Sequence, residues 1–397
     1  MIDILKILLI LILIIILLKR RWNIGAVMII SSIILALSYR IGFMNFSTAF
    51  IKASTDITSL NLIIVLYLIR VFENIMRKRG IMKEMMDSFR GMFMDSKILV
   101  ASMPALIGLL PSMGGALFSA PLVDEAASGN RISSEKKAFI NYIFRHPWEF
   151  ILPLYPGLLL ASAITAYPLR DLILLNLPYA LCMIAGGIIW GLSGISKEKE
   201  GLRSVTARGL LSFLPLSLII LMVMVFHIDL SISMGSVVLG LLLVFRYSPG
   251  NTLKTLRESV SPEIIMIILG VMTFKAVLDQ SGAVTNISSF LSETGIPILP
   301  VLFIIPFTSG LLTGLTIGYV GSTFPIILGL EGAQNLSAIS FAFASGYVGV
   351  LLSPVHLCLV LTRGYFNAAL PDIYKMTVKV GILIMITALA EYFILNS

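Results

Sequence analysis

The residues best suited to chemistry in this sequence sit in two proline-bearing stretches, Arg145-His146-Pro147-Trp148-Glu149 and Ser353-Pro354-Val355-His356. Each lies in the middle of an apolar run, 139–164 and 339–361, long enough to cross a bilayer. An ionisable group at membrane depth costs at least about 2.5–3.5 kcal/mol, so it marks a functional site by default. A histidine takes up a proton near neutral pH, which suits His146 and His356 to proton coupling. Two simpler readings stand beside this one: Arg145 and Glu149 can neutralise each other across one helical turn, and His356 can be a hydrogen-bonded packing residue. An offset of 207 aligns Pro147 with Pro354 and sets Glu149 opposite His356, so the two stretches are expected to flank one cavity. Asn141, about one turn before the break that begins at Arg145, offers a neutral ligand, and Ser353 opens the second break.

A second pair of stretches repeats a single design. Residues 104–123 read PALIGLLPSMGGALFSAPLV and residues 306–326 read PFTSGLLTGLTIGYVGSTFPI. Pro104 falls on Pro306, Gly108-Leu109-Leu110 on Gly310-Leu311-Leu312, and Pro121 on Pro325 once two residues are inserted. Both copies are apolar, yet glycine, proline and hydroxyl residues interrupt their middles. Lipid cannot satisfy the backbone groups freed there, so such a break must pack in protein or line a cavity. Paired breaks in two halves of a membrane protein are the sequence pointer to a transporter's binding site. Free N–H groups where a helix starts suit an anionic substrate, and free C=O groups with hydroxyls suit a small cation. The candidate contacts are therefore Ser112, Met113, Gly114 and Gly115 in the first copy and Thr313, Gly314 and Thr316 in the second. Ser112, Thr313 and Thr316 would be the Na+ ligands. The competing reading is packing, because Gly310, Gly314 and Gly318 form a small-residue stripe at four-residue spacing.

The elements that must position these residues are membrane helices. With 57% hydrophobic and 13% charged residues and a mean hydropathy of +0.98, the chain is far more apolar than a soluble domain. Its 397 residues leave room for about ten spans of roughly 20 residues. The net charge of +8 sits at span ends, where membrane topology puts it, and does not point to nucleic acid. Cys182 and Cys358 lie in apolar runs and read as small buried hydrophobes, not as a disulfide framework or a zinc site. No cofactor is expected beyond Na+ or H+ as a coupling ion. The sequence holds three histidines in all and has no His-Glu-x-x-His, phosphate loop or Gly-x-Ser-x-Gly elbow, which argues against an enzyme.

Taken in order, apolar runs at 7–18, 24–38 and 58–76 precede a charged, Met- and Phe-rich segment at 80–95 that suits the membrane interface. The arms 98–110 and 116–127 are each too short to cross about 30 Å at 1.5 Å per residue, so a re-entrant hairpin with its tip at 111–115 is expected. The broken span 139–164 and a span at 172–192 complete the first half. After a polar linker at 193–209, runs at 210–226, 235–245 and 264–278, a segment at 281–293, the second hairpin, the broken run 339–361 and a span at 373–395 repeat the plan. Phe72 with Phe274, Gly80 with Gly282 and Pro104 with Pro306 all keep an offset of 202. Residues 1–192 and 210–397 are thus read as two repeats joined by 193–209. Five crossings per half make the second repeat inverted. That places the Lys- and Arg-rich loops in the cytoplasm and the N-terminus outside, as the positive-inside rule asks. Glu73 and Lys275 occupy equivalent positions near span ends, where snorkelling is cheap, and Arg70 joins them.

This plan of hairpin, broken span and outer span, twice over and inverted, resembles the ion-transporter superfamily, which includes dicarboxylate, citrate and gluconate carriers. GLLPSMGG (108–115) and GYVGVLLSPVHLCLVLT (346–362) look like one of its integral-membrane branches labelled only as a domain of unknown function. The dicarboxylate carriers have a Ser-Asn-Thr triplet at each tip; here the tips read Pro111-Ser112-Met113-Gly114-Gly115 and Thr313-Gly314-Leu315-Thr316. The resemblance implies an all-α scaffold, a homodimer and elevator-type movement, but not the dicarboxylate substrate. The expectation is a secondary carrier in the cell membrane for a small organic anion, driven by Na+ or H+. A cation/proton antiporter is the alternative.

Overall fold

The structure is a computed structural model that describes residues 2–20, 22–92, 96–111, 115–127, 132–195, 207–295 and 297–396. Among these residues every regular element is helical. The chain begins with α1 (Ile2–Lys19), α2 (Ile24–Ser38), α3 (Phe43–Thr55), α4 (Ile57–Lys78) and α5 (Ile81–Met92). Next come α6 (Ser96–Gly108), α7 (Gly115–Ala126), α8 (Ser134–Arg145), α9 (Trp148–Ile151), α10 (Pro156–Thr165) and α11 (Leu169–Gly186), which runs on into a π-turn at Gly187–Gly191. The rest consists of α12 (Ala207–Leu211), α13 (Leu214–Met224), α14 (Leu230–Val244), α15 (Pro249–Glu258), α16 (Pro262–Ser281), α17 (Ala283–Thr294), α18 (Ile298–Thr313), α19 (Thr316–Ile327), α20 (Leu336–Leu351), α21 (Leu357–Phe366) and α22 (Leu370–Asn396).

Local chemistry sets these boundaries. Asn23 starts α2 by accepting from the Ala26 amide at 3.2 Å, Asp56 starts α4 by accepting from Thr58 at 2.9 Å, and Asn335 starts α20 by accepting from Ala338 at 2.8 Å. Each side chain serves an amide that has no carbonyl partner in a first turn. Pro156, Pro249 and Pro262 sit in first turns, where a missing N–H costs nothing. Gly282 and Gly314 end α16 and α18 in the left-handed region, at φ 65° and 64°.

Five helical stretches among the described residues are long and apolar enough to cross a membrane: Ile57–Lys78, Ser134–Thr165, Leu169–Gly191, Pro262–Ser281 and Leu370–Asn396. The other apolar helices are shorter, such as α2 with 15 residues and α7 and α19 with 12 each. At 1.5 Å per residue they reach about 18–22 Å. The outer faces carry Leu181, Ile189, Leu239, Leu243 and Ile386, each more than half exposed. Apolar surface on that scale is compatible with a multi-pass membrane protein.

Glycine governs the closest packing. A Cβ on Gly25 of α2 would lie 2.3 Å from the Met266 carbonyl of α16, and one on Gly270 would lie 2.5 Å from the Gly25 oxygen. Gly310 of α18 stands in the same relation to Gly346 of α20 (2.1 Å), and Gly349 to Phe307 (2.2 Å). Without a hydrophobic drive inside lipid, such backbone-to-backbone approach is what holds helices together. The contacts also cross the midpoint of the sequence: α2 packs on α16, α4 on α14, α8 on α21, α10 on α19 and α11 on α22. The two halves of the chain therefore interleave rather than form separate bodies.

Three elements depart from the sequence reading. α3 and α15 are helices in stretches between the apolar runs, whose mixed polar composition marks no span. The 139–164 span is interrupted at Leu152–Tyr155 as well as at Pro147, so α9 is a single turn between two breaks.

Candidate functional site

Proline makes both breaks. Pro147 has no N–H to continue α8, so α8 ends at Arg145 and a new turn begins at Trp148. Pro354 does the same beyond α20. The chain crosses it through Ser353 and Val355 before α21 starts after His356. Between them lies the turn Gly314-Leu315, which separates α18 from α19. A Cβ on Gly314 would sit 2.8 Å from the His356 amide, so the turn and the second break touch through bare backbone.

A cavity of about 190 Å³ opens at this junction, lined by Pro111, Arg145, His146, Glu149, Tyr155 and Pro156 and by residues of the 314–317 and 356–358 segments. The two histidines meet there with Nε2 atoms 3.1 Å apart. His146 Nδ1 faces the Tyr142 carbonyl at 2.5 Å, and His356 Nδ1 faces the Gly314 carbonyl at 2.7 Å. Glu149 Oε2 accepts from the Thr316 hydroxyl at 2.5 Å, and its Oε1 lies 3.8 Å from His146 Nε2. The Arg145 guanidinium donates to Cys358 Sγ at 2.8 Å. Three helix N-termini reach the same space, those of α10 at Pro156 and Gly157, α19 at Thr316 and Ile317, and α21 at Leu357 and Cys358. Their free amides carry positive partial charge.

Aromatic side chains serve main-chain carbonyls at the two breaks and at the end of α6. Tyr155 donates to Gly108 O at 2.5 Å and Trp148 to Ala105 O at 2.7 Å, which ties the end of α6 to the first break. Tyr347 donates to His146 O at 2.8 Å, and Tyr142 to Leu351 O at 3.1 Å. Each break is thus stitched by a tyrosine from the other: Tyr142 stands on α8 and Tyr347 on α20. A buried carbonyl left unpaired would cost about 1–3 kcal/mol.

His146, Glu149, Gly314, Thr316 and His356 therefore come together as the sequence suggested, although His146 and not Glu149 stands against His356. Gly115 begins α7 and is buried away from the cavity lining. Asn141 is also buried, donating to Thr362 Oγ1 at 2.9 Å and Ala116 O at 3.2 Å, which makes it a strut between α8, α7 and α21. Ser353 and Thr313 lie beside the junction, with Ser353 Oγ accepting from the Val355 amide at 3.4 Å and Thr313 Oγ1 from the Leu315 amide at 3.4 Å. Ser112, Met113 and Gly114 fall outside the described residues. Of the glycine stripe, Gly310 is a packing contact, Gly314 is the turn, and Gly318 touches Thr313. Farther away, Lys275 donates to Ile164 O at 2.7 Å, Arg70 donates to Ser259 O at 3.2 Å, and Glu73 pairs with Arg77, all structural contacts.

Sequence reasoning missed Tyr142, Tyr155, Tyr347 and Cys358. Tyr142 precedes His146 by one helical turn and Tyr155 adjoins Pro156, which were the available signals. Cys358 is not just a small packing residue, since its sulfur and the two histidine nitrogens lie within 4.8 Å of one another. Three such donors can close on a metal ion. The Arg145 guanidinium on the same sulfur and the three helix N-termini would oppose a dication there, so the arrangement as a whole favours negative charge.

The family model described as a protein of unknown function (DUF401) matches residues 2–395. No curated protein matches the chain. The match spans nearly the whole sequence, and the chain belongs to this family.

Proposed function

We propose that the protein is a secondary carrier for a small organic anion, most simply a carboxylate, coupled to H+ or Na+. The observation that carries this reading is the convergence of Arg145 and three helix N-termini on one small cavity in which Glu149 is the one carboxylate among the described lining residues. Together they supply the positive end of a carboxylate site in the way helix N-termini and arginine do elsewhere. A volume of about 190 Å³ suits a solute of a few carbon atoms.

The order of elements supports an inverted-repeat reading. The series α2, α3, α4, α5, the pair α6/α7, the broken α8–α10 and α11 returns as α14, α15, α16, α17, the pair α18/α19, the broken α20–α21 and α22. On this reading α6/α7 and α18/α19 are re-entrant hairpins entering from opposite faces. The scaffold is similar to the ion-transporter superfamily, with a homodimer and elevator movement implied by that likeness. Thr316 and the Gly314 carbonyl offer oxygen to Na+ as readily as amide to anion. The histidine nitrogens and Glu149 keep a cation/proton antiporter as the second reading.

Reconstitution into proteoliposomes tests this. Labelled acetate, lactate, succinate and citrate are offered under separate proton and sodium gradients. Gradient-driven accumulation of one of them is the expected result. Uptake of none, together with internal pH changes on adding K+ or Na+, would favour the antiporter.

A further inference from the structure

We infer that the coupling ion is a proton held in common by His146 and His356. This rests on the carrier reading and adds to it where the proton sits. A carbonyl oxygen can only accept, so the carbonyls of Tyr142 and Gly314 require a hydrogen on Nδ1 of both rings. In a neutral imidazole the second nitrogen is then a bare acceptor, and here the two bare Nε2 atoms face each other at 3.1 Å. Two lone pairs at that distance repel. One proton between them turns the contact into an imidazolium donating to an imidazole, which is a charge-assisted hydrogen bond. The alternative, moving a hydrogen to Nε2 of one ring, leaves a buried carbonyl without its donor and an Nδ1 lone pair against it.

The surroundings hold this proton without dispersing it. Tyr142 of α8 lays its ring against both imidazoles, with centroids 4.6 Å and 5.6 Å away. Its hydroxyl and that of Tyr347 from α20 are committed to main-chain carbonyls, as is that of Tyr155. Among the described residues the charged and titratable groups facing the pair are Glu149 of α9, with Oε1 3.8 Å from His146 Nε2, Arg145, and Cys358, whose sulfur accepts from Arg145 and also bonds His146. Protonating the pair adds one positive charge beside Arg145 in this cavity, so proton and anion each favour binding of the other, and linkage makes that coupling reciprocal. Because His356 is bonded to the Gly314 carbonyl, loading the pair also bears on the α18–α19 turn.

Nitrogen-15 NMR of histidine-labelled protein in detergent reads the site without transport. There are three histidines in the sequence, and His227 lies between α13 and α14, away from this cavity. Both site rings are expected as Nδ1–H tautomers, with both Nε2 signals moving together as the pair takes up a single proton. His356→Gln should leave His146 titrating alone. In proteoliposomes, one proton should enter with each anion, and His356→Gln should lose accumulation driven by a pH gradient. An Nε2–H tautomer on either ring, independent titration of the two rings, or sodium-driven uptake without proton entry would overturn the inference. So would a sulfur-to-cobalt charge-transfer band at equimolar Co2+ that disappears in Cys358→Ser, since a metal would then hold the two nitrogens. Uptake of no anion alongside an intact shared-proton signature would overturn the carrier reading alone.

Discussion

Glu149 is a carboxylate in a cavity otherwise arranged for negative charge, and Thr316 is what keeps it in place. The hydroxyl donates to Oε2 at 2.5 Å from the first turn of α19, while a Cβ on Gly157 would meet the Thr316 methyl at 2.3 Å. Thr316→Val keeps the shape and removes the donor. Hydrogen bonds to charged groups are worth about 1.5–3 kcal/mol, so the initial rate of anion uptake should fall by about tenfold or more while membrane insertion is unchanged. A variant that transports at the normal rate would leave Glu149 outside the transport site. At this scale the sequence was half legible. His146, Glu149 and His356 stood out as ionisable groups within apolar runs. The tyrosines did not, because a tyrosine in such a run shows no purpose until the broken-helix carbonyl it serves is seen.

At the scale of elements, proline places the breaks and glycine sets the distances between helices. Gly310 and Gly346 let α18 and α20 meet backbone to backbone, and an added side chain at Gly310 has a carbonyl oxygen 2.1 Å from its first carbon. Gly310→Val should force the helices apart and destabilise the protein by about 1–3 kcal/mol. The check is the thermal midpoint in detergent, with Gly240→Val, which meets nothing within 4 Å, as the matched control. Equal midpoints would show that the α18–α20 contact is not tight. Prolines and glycines made the two breaks and the second turn readable from sequence. α3 and α15 were hard to read because they are short amphipathic helices with no long apolar run to mark a span. The partnering of Asn141 with Thr362, 221 positions away, lay equally beyond any local pattern.

At the scale of the whole molecule, a chain whose halves interleave brings its two breaks into one cavity, which no separate half could enclose. The distribution of Lys and Arg predicts a direction for that arrangement across the membrane. Single cysteines at Ser193 and at Gly332 should be labelled by an impermeant maleimide from opposite sides, Gly332→Cys in intact cells and Ser193→Cys only after permeabilisation. Labelling of both from the same side would break the inverted plan. Hydrophobicity made the apolar helices legible early, because they depend on composition and spacing. The meeting of His146 with His356 depends on how α8 and α21 cross, and the offset that aligned Pro147 with Pro354 set Glu149 there instead.

The claim on which the rest stands is that solute binds where Arg145 and the three helix starts converge. The most direct measurement is the initial rate of gradient-driven carboxylate uptake by wild-type protein and by Arg145→Lys in matched proteoliposomes. Lysine keeps the charge but lacks the planar fork that would grip a carboxylate while donating to Cys358. The expected result is concentrative uptake by the wild type and a loss of at least about tenfold in the variant, as for a lost charge-assisted contact of about 1.5–3 kcal/mol, with the amount of inserted protein unchanged. Equal rates would contradict the site.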